Sequence, residues 1–409
     1  MFFRLITLGC KVNQYETEWL REGFYRLGWT ESPDAEPAAV VVVNTCTVTA
    51  ESDLKSRKLV RKAIKENPNS QVFVIGCSVT RDAKPYQHID GVTEIIADKR
   101  HLPDFLHRLG LEYSDIPTGI ERFGERHRAY VKIQDGCQVG CSYCVIPKVR
   151  PRLESRPQDD IVAEINRLLR NGYREIVLTG IHLGHYGVET GTPKLAPLLR
   201  KLALLPDLAS DDPFRIRLSS LEAVEVTDDL IEVLASYPKR FCPHFHLPMQ
   251  SGSDTVLRRM KRRWLSEPFY RVCEKLKNHP TLDRAALTTD LIVGFPGETD
   301  VEFDETCRLL DKIRFSKIHV FRYSPRAGTE AATMPHRVPP KVQKERAAYV
   351  TGLAQKYRNE YSASLVGMSQ SVLIERTSGG TSDRYLDVEF PAPVAPSMIG
   401  KIVYLRHHS

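Results

Sequence analysis

Three thiols stand within eight residues of one another in Cys137-Gln-Val-Gly-Cys141-Ser-Tyr-Cys144. Thiolates so spaced on one tight loop ligate three irons of a cubane iron–sulfur cluster, because soft sulfur ligands suit that chemistry. The fourth iron then lacks a protein ligand and stays open to a small molecule. A zinc site would call for paired C-x2-C knuckles and a fourth ligand, and neither stands out in the chain. Cys10, Cys46 and Cys77 form a second group, whose spacings of 36 and 31 residues match no short metal motif. Each instead follows an apolar run directly. If those runs are parallel strands of one sheet, the three thiols share the edge where ligands bind. Two readings stand for them: a second cluster with another open iron, or small buried hydrophobes. Cys242, Cys273 and Cys307 lie in strand or helix patterns and read as core residues. Nine cysteines, an odd number, in a chain that opens on a strand-like segment speak for ligation, catalysis or packing rather than disulfides.

The elements that must position these thiols follow from hydrophobic patterning. Phe3–Leu8, Val40–Val43 and Val72–Ile75 are short continuous apolar runs separated by helical patterns at Tyr15–Leu27 and Glu51–Lys65. Such alternation indicates a parallel sheet covered on both faces. Residues 1–112 are therefore expected to form a doubly wound α/β domain. A polar stretch with Pro117, Gly119 and Gly124 reads as a linker over 113–128. Six strand–helix units follow, with strands at Tyr130–Gln134, Glu175–Thr179, Arg215–Ser219, His244–Leu247, Ala285–Val293 and Lys317–Phe321. Six units are too few for a closed eight-fold barrel, so a partial (β/α)6 barrel is expected over 129–340. The Cys137–Cys144 loop then sits at the carboxyl end of its first strand. A charged helix over 341–365 leads to short strands at Gln370–Ile374, Tyr385–Phe390 and Lys401–Leu405. These predict a small β-barrel over 366–409, with Gly379-Gly380 as a separating turn.

Composition narrows the setting. Hydrophobic residues make up 42% and charged residues 27% of 409, which fits folded domains with real cores. No run approaches the roughly 20 apolar residues of a membrane span. Met1-Phe2-Phe3-Arg4 enters a strand rather than a signal peptide, so a cytoplasmic protein without a membrane partner is expected. The net charge of +7 permits an anionic partner without demanding one. Its distribution is uneven: Arg258-Arg259-Met260-Lys261-Arg262-Arg263 holds five cations in six positions. The run reads either as a solvated helix face or as a phosphate-binding patch. Lys148, Arg150, Arg152 and Arg156 form a looser basic group after the cysteine loop.

The C-x-x-x-C-x-x-C spacing resembles the defining motif of the radical S-adenosylmethionine superfamily. That resemblance implies a [4Fe-4S] cluster on Cys137, Cys141 and Cys144 whose open iron chelates S-adenosylmethionine, the source of a 5′-deoxyadenosyl radical. Leu178-Thr179-Gly180-Ile181, Ser219-Ser220-Leu221-Glu222 and Asp290–Gly297 look like the superfamily's cofactor-binding elements, which marks Gly180, Ser220, Glu222 and Gly294. Each is also readable as an ordinary strand-to-helix turn.

Further motifs resemble the methylthiotransferase family: Leu8-Gly9-Cys10-Lys11-Val12-Asn13, Asn44-Thr45-Cys46, Gly76-Cys77, His246–Gly252 and Gly294-Phe295-Pro296-Gly297-Glu298-Thr299. The carboxyl-terminal strands resemble the TRAM domain, an RNA-binding barrel. Nearly the whole chain is covered. The family implies a second [4Fe-4S] cluster on Cys10, Cys46 and Cys77 that carries sulfur. It also implies a sulfur donor and an electron donor such as a flavodoxin or ferredoxin. The expected partner is tRNA, held by its anticodon loop through the β module and through Arg258, Arg259, Lys261, Arg262 and Arg263. Gly-Cys-Lys-Val-Asn resembles the branch that converts N6-threonylcarbamoyladenosine (t6A) at position 37 to its 2-methylthio form (ms2t6A). Isopentenyladenosine of tRNA, an aspartate of a ribosomal protein, and a non-catalytic iron–sulfur RNA-binding role are the alternatives. One departure is present: where the family usually has Arg-Gly after the cysteine loop, this chain has Arg150-Pro151, which removes a backbone donor.

Overall fold

The computed structural model describes residues 1–409 apart from 34–35, 125, 192–193, 208–211, 283 and 407–409. Val40–Val43 forms a strand apolar at every position because both of its faces are covered. Val40 and Val42 pack with Phe24 and Phe105 on one side, and Val41 and Val43 with Val60 and Ala63 on the other. It belongs to a parallel sheet of β1 (Phe2–Thr7), β2 (Thr30–Glu31), β3 (Val40–Thr45), β4 (Gln71–Gly76) and β5 (Val92–Ile96), in the order β2-β1-β3-β4-β5. The helices expected between strands are found at Lys11–Arg26 and Ala50–Glu66.

The stretch after this domain is not a loose tether. Ile120 and Phe123 are buried in the main core, and Trp19 Nε1 donates to the Pro117 carbonyl at 2.7 Å. Glu164 accepts from the Ile120 N–H (2.9 Å) and from the Tyr15 hydroxyl (3.0 Å). The two apolar residues are too few to register as a strand or helix pattern, yet they weld the first domain to the second.

In the second domain, β6 (Arg128–Asp135), β7 (Glu154–Ser155), β8 (Glu175–Gly180) and β9 (Arg215–Leu218) form a sheet in the order β7-β6-β8-β9. A second sheet holds β10 (His244–His246), β11 (Ala286–Val293) and β12 (Lys317–Arg322). Parallel bridges Ile216–Phe241 and Ser220–His246 join β9 to β10. The result is the expected curved layer of six parallel strands, with the short antiparallel β7 added at its edge. The helix Pro340–Ser364 packs along β12. Among the described residues no helix is long and apolar enough to cross a membrane.

The carboxyl-terminal strands are β13 (Ser369–Arg376), β14 (Gly379–Ser382), β15 (Asp387–Glu389) and β16 (Ile402–Arg406), an antiparallel sheet in the order β15-β14-β13-β16. Gly379-Gly380 opens a strand rather than a separating turn. A Cβ on Gly380 would stand 1.8 Å from the Leu373 carbonyl oxygen, so the bare Cα is what lets β14 close on β13. This sheet seals the amino-terminal mouth of the partial barrel. Arg215 donates to the carbonyls of Ser371 (2.6 Å) and Thr381 (2.8 Å), and Arg217 to those of Ser382 and Asp383 (both 2.9 Å). Glu175, fully buried, pairs with both guanidiniums. Tyr385 stacks on His244 with centroids 4.6 Å apart and lies under Arg217. Tyr385 is therefore a packing residue, whereas Tyr404 on β16 is exposed.

Candidate metal centre

Gly136 makes the turn from β6 into the cysteine loop at φ +82°, and a Cβ there would meet the Arg152 carbonyl oxygen at 1.5 Å. The Cys137 N–H donates to the Arg150 carbonyl at 3.0 Å, which closes the loop's base. Around the thiols, the Ile146 N–H points at Cys144 Sγ (3.4 Å) and Arg262 Nη1 at Cys141 Sγ (3.4 Å). His182 Nδ1 lies 3.4 Å from Cys137 Sγ. Burial pushes the Cys144 thiol up to about 12, against the Ile146 hydrogen bond, and raises Cys141 as well. Burial disfavours the thiolate forms of Cys141 and Cys144 unless a cation stands beside them. Iron compensates the charge and takes the sulfurs as thiolates, so the donor set fits a cluster.

The second group converges as the strand order requires. Cys10, Cys46 and Cys77 follow β1, β3 and β4, which are neighbours in the sheet. A Cβ on Gly9 would touch Cys46 Sγ at 3.2 Å, and the three thiols act on one another electrostatically. Asn13, buried, ties the carrier loops together. Its Nδ2 donates to the carbonyls of Leu8 (2.9 Å) and Thr45 (3.0 Å). Gly76 (φ +99°) lets β4 pass Thr45, whose carbonyl oxygen would meet a Cβ at 2.4 Å. Cys46 and Cys77 are buried and Cys10 is exposed. Cys77 packs against Val149 and against Val145, which follows Cys144 directly, so the two groups of thiols are neighbours across the domain junction.

The expected cofactor-binding residues divide. Gly180 ends β8 against Gln134, and Ser220 is exposed on the bridge to His246. The Glu222 oxygens accept from Arg262 (2.6 Å) and from Trp264 Nε1 (3.0 Å), beside Cys141. Gly294 follows β11 directly. Its N–H donates to Glu298 (2.6 Å), and its Cα packs on Gln343 of the connecting helix.

The basic run is likewise divided by the fold. Arg258 is exposed and has no acidic partner among the described residues. Arg259 forks onto Glu302 (2.9 and 3.0 Å), Lys261 pairs with Glu330, and Arg263 with Glu225 (2.8 Å). The Arg262 side chain is only 4% exposed. It turns inward because Glu222, Cys141 and the Trp264 ring give its charge partners there. Of the five cations, Arg258 is exposed and Lys261 and Arg263 are half-exposed.

Sequence reasoning missed His182 and Glu225, and it gave the side chains of Arg150 and Asn13 no role at the thiols. Glu225 holds His182 Nε2, and the ring of His185 stacks on His182 at 3.7 Å. Burial opposes charge on His182, but its bonds to Cys137 and Glu225 prevail and push its pKa up to about 9. The ligand atoms of His182, His185 and Glu225 lie within 4.8 Å of one another, yet Arg263 already supplies the cation there. The available signal was the position of His182, two residues beyond Gly180 on the rim.

Comparison with known proteins agrees with this geometry. Residues 131–310 match the Radical SAM superfamily, and residues 3–98 match the Uncharacterized protein family UPF0004. The chain is 37% identical to the threonylcarbamoyladenosine tRNA methylthiotransferase MtaB of Bacillus subtilis (strain 168), over 98% of its own length and 92% of that protein. It is 33% identical to the tRNA-2-methylthio-N(6)-dimethylallyladenosine synthase of Endomicrobium trichonymphae, over 93% and 90% of the two chains. Among solved structures, the radical S-adenosylmethionine methyltransferase TsrM of Kitasatospora setae shares the fold. It has TM-score 0.58 at 13% identity, covering 81% of this chain and 77% of that one. Paired thiol groups at one domain junction, and relatives aligned end to end, lead to one conclusion: the chain belongs to the radical S-adenosylmethionine methylthiotransferase family.

Proposed function

We propose that this protein adds a methylthio group to C2 of N6-threonylcarbamoyladenosine at position 37 of tRNA, converting t6A to ms2t6A. The observation that carries the reaction type is the packing of Cys77 against Val145, which sets one group of thiols beside the other. In this reading Cys137, Cys141 and Cys144 hold one [4Fe-4S] cluster, and Cys10, Cys46 and Cys77 hold a second. With S-adenosylmethionine, the first supplies the one-electron chemistry needed at an unactivated aromatic carbon. The chain's own part is to position. Arg262 and Glu222 fix the Cys141 side of the loop, His182 keeps a proton at Nδ1 toward Cys137, and exposed Cys10 leaves the second site open to the base. The substrate base must leave its stack, which a single-stranded anticodon loop permits. A sulfur donor and an electron donor such as a flavodoxin or ferredoxin complete the cycle. A cavity of about 330 Å³ beside Arg150 is lined by the cations Lys99, Arg100, Lys148 and Arg152 and by the carboxylates Asp98, Asp135 and Glu154.

Mass spectrometry of tRNA nucleosides from cells with and without the gene tests the reaction and the substrate together. Loss of ms2t6A with accumulation of t6A is expected. Loss of the methylthio form of isopentenyladenosine instead would assign the chain to the dimethylallyladenosine branch, and an unchanged profile would point to a protein substrate.

The divided basic run gives a separate expectation. Arg258→Ala lowers the slope of log affinity against log salt for tRNA by about 1, the signature of one lost phosphate contact. Arg262→Ala leaves that slope unchanged and instead lowers cofactor cleavage. Filter binding across a salt series, alongside a cleavage assay, separates the two.

A further inference from the structure

We propose that Arg150 is a positioning residue that joins the two cysteine sites into one device, seating Cys77 and setting the charge felt by a cluster on Cys10, Cys46 and Cys77. The proposal rests on the reading that this second group of thiols holds a cluster. Arg150 belongs by its backbone to the first site. Its carbonyl accepts from the Cys137 N–H (3.0 Å), and its own N–H donates to the Ile146 carbonyl (2.8 Å). Its side chain, 4% exposed, belongs to the second. Nε donates to Cys77 Sγ at 3.3 Å and Nη2 to Asn13 Oδ1 at 3.0 Å. Asn13 in turn holds the carbonyls of Leu8 and Thr45, which precede the other two cysteines of that site. One side chain therefore reaches, directly or through Asn13, every loop that carries a ligand of the second group.

The guanidinium is locked from its far side. Nη1 contacts Glu16 at 2.9 Å and both oxygens of Asp135 at 2.7 Å, and Nη2 contacts Glu16 at 3.0 Å. Lys99 binds Glu16 as well, and Lys132 binds Asp135 at 2.9 Å. Three cations against two carboxylates leave this hydrogen-bonded group with one positive charge, and its nearest sulfur is Cys77. Hydrogen bonds and charge at ligand sulfurs are what tune a cluster's potential. A lysine keeps the charge but cannot present Nε to sulfur while forking onto two carboxylates.

The test uses the full chain, reconstituted anaerobically with iron and sulfide, as wild type, Arg150→Gln and Arg150→Lys. Each substitution is also made in a chain with Cys10, Cys46 and Cys77 replaced by Ala. The readouts are iron per chain, electron paramagnetic resonance, and potentiometric titration. Wild type is expected to hold about eight irons, four for each cubane. Arg150→Gln is expected either to fall to about half of that or to keep its iron with the second cluster's potential more negative, because the cation that favours the reduced state is gone. Arg150→Lys should keep its iron and restore most of the potential. In the triple-alanine background neither substitution should change the remaining cluster. Iron content and potential in Arg150→Gln equal to wild type would overturn the proposal. So would an equal change in the triple-alanine background, since Arg150 would then act on the first site. A wild-type chain that takes up only about half of the iron would instead overturn the second-cluster reading on which the proposal rests.

Discussion

Replacing Cys137 with alanine abolishes reductive cleavage of S-adenosylmethionine, whereas replacing Cys10 leaves cleavage in place and stops methylthio transfer. The expected loss in Cys137→Ala is at least about 100-fold, the upper end of what losing a mere outer-shell partner of a metal costs. Cys137 lies on the loop closed by the Arg150 carbonyl, and its sulfur meets His182. Cys10 sits on a different domain, exposed, and none of the hydrogen bonds that hold the Cys137–Cys144 loop passes through its side chain. The contact between the sites runs through Cys77 and Arg150 instead, which is why Cys10 is the cleaner probe of the second site. Release of 5′-deoxyadenosine measured by chromatography and ms2t6A measured by mass spectrometry separate the two functions. Loss of cleavage in a folded Cys10→Ala variant would sink the division of labour.

The second large effect concerns stability and lies far from the cysteines. Glu175→Ala leaves Arg215 and Arg217 buried without a counter-charge, at a cost of about 3–5 kcal/mol. Both guanidiniums also hold carbonyls of the carboxyl-terminal sheet, so the sheet should loosen from the barrel mouth and become the first site of limited proteolysis. A urea midpoint equal to wild type would count against this account. The same residue predicts a pH dependence. Burial by itself would raise the Glu175 pKa, but Arg217 and Arg215 outweigh it and lower it from 4.5 to about 2. A depressed folded-state value stabilises the protein above the unfolded value. That contribution is present above pH 4.5 and is lost as pH falls from 4.5 toward 2. At about 1.36 kcal/mol per pKa unit it amounts to roughly 3 kcal/mol. Midpoints measured between pH 5 and 2.5 should fall less steeply in Glu175→Ala than in wild type.

What the sequence alone determined is the chemistry written in short spacings. Cys137, Cys141 and Cys144 are legible because their ligand geometry is local: a loop of eight residues brings them together whatever the rest of the chain does. The six barrel strands were legible because short strand-like runs alternate with helical patterns, and β6 and β8 to β12 lie within a residue or two of the expected runs. β14 escaped notice because Gly379-Gly380 carries the composition of a turn, and only the approach of Val388 and Leu373 explains the glycines.

Tertiary structure decided which distant groups meet. Cys10, Cys46 and Cys77 come together only because β1, β3 and β4 are neighbours, an order the spacings do not encode. Charge was the least legible property. Arg258 to Arg263 read as one patch, yet Arg262 turns inward to Glu222 and Cys141 while Arg258 stays outside. Arg150 looked like one cation of a loose group and proves to bridge two domains. The physical reason is the same in each case. A hydrophobic run buries itself wherever it finds a core, but a buried charge persists only where folding delivers a partner, and that partner lies up to 137 residues away in sequence for Arg150.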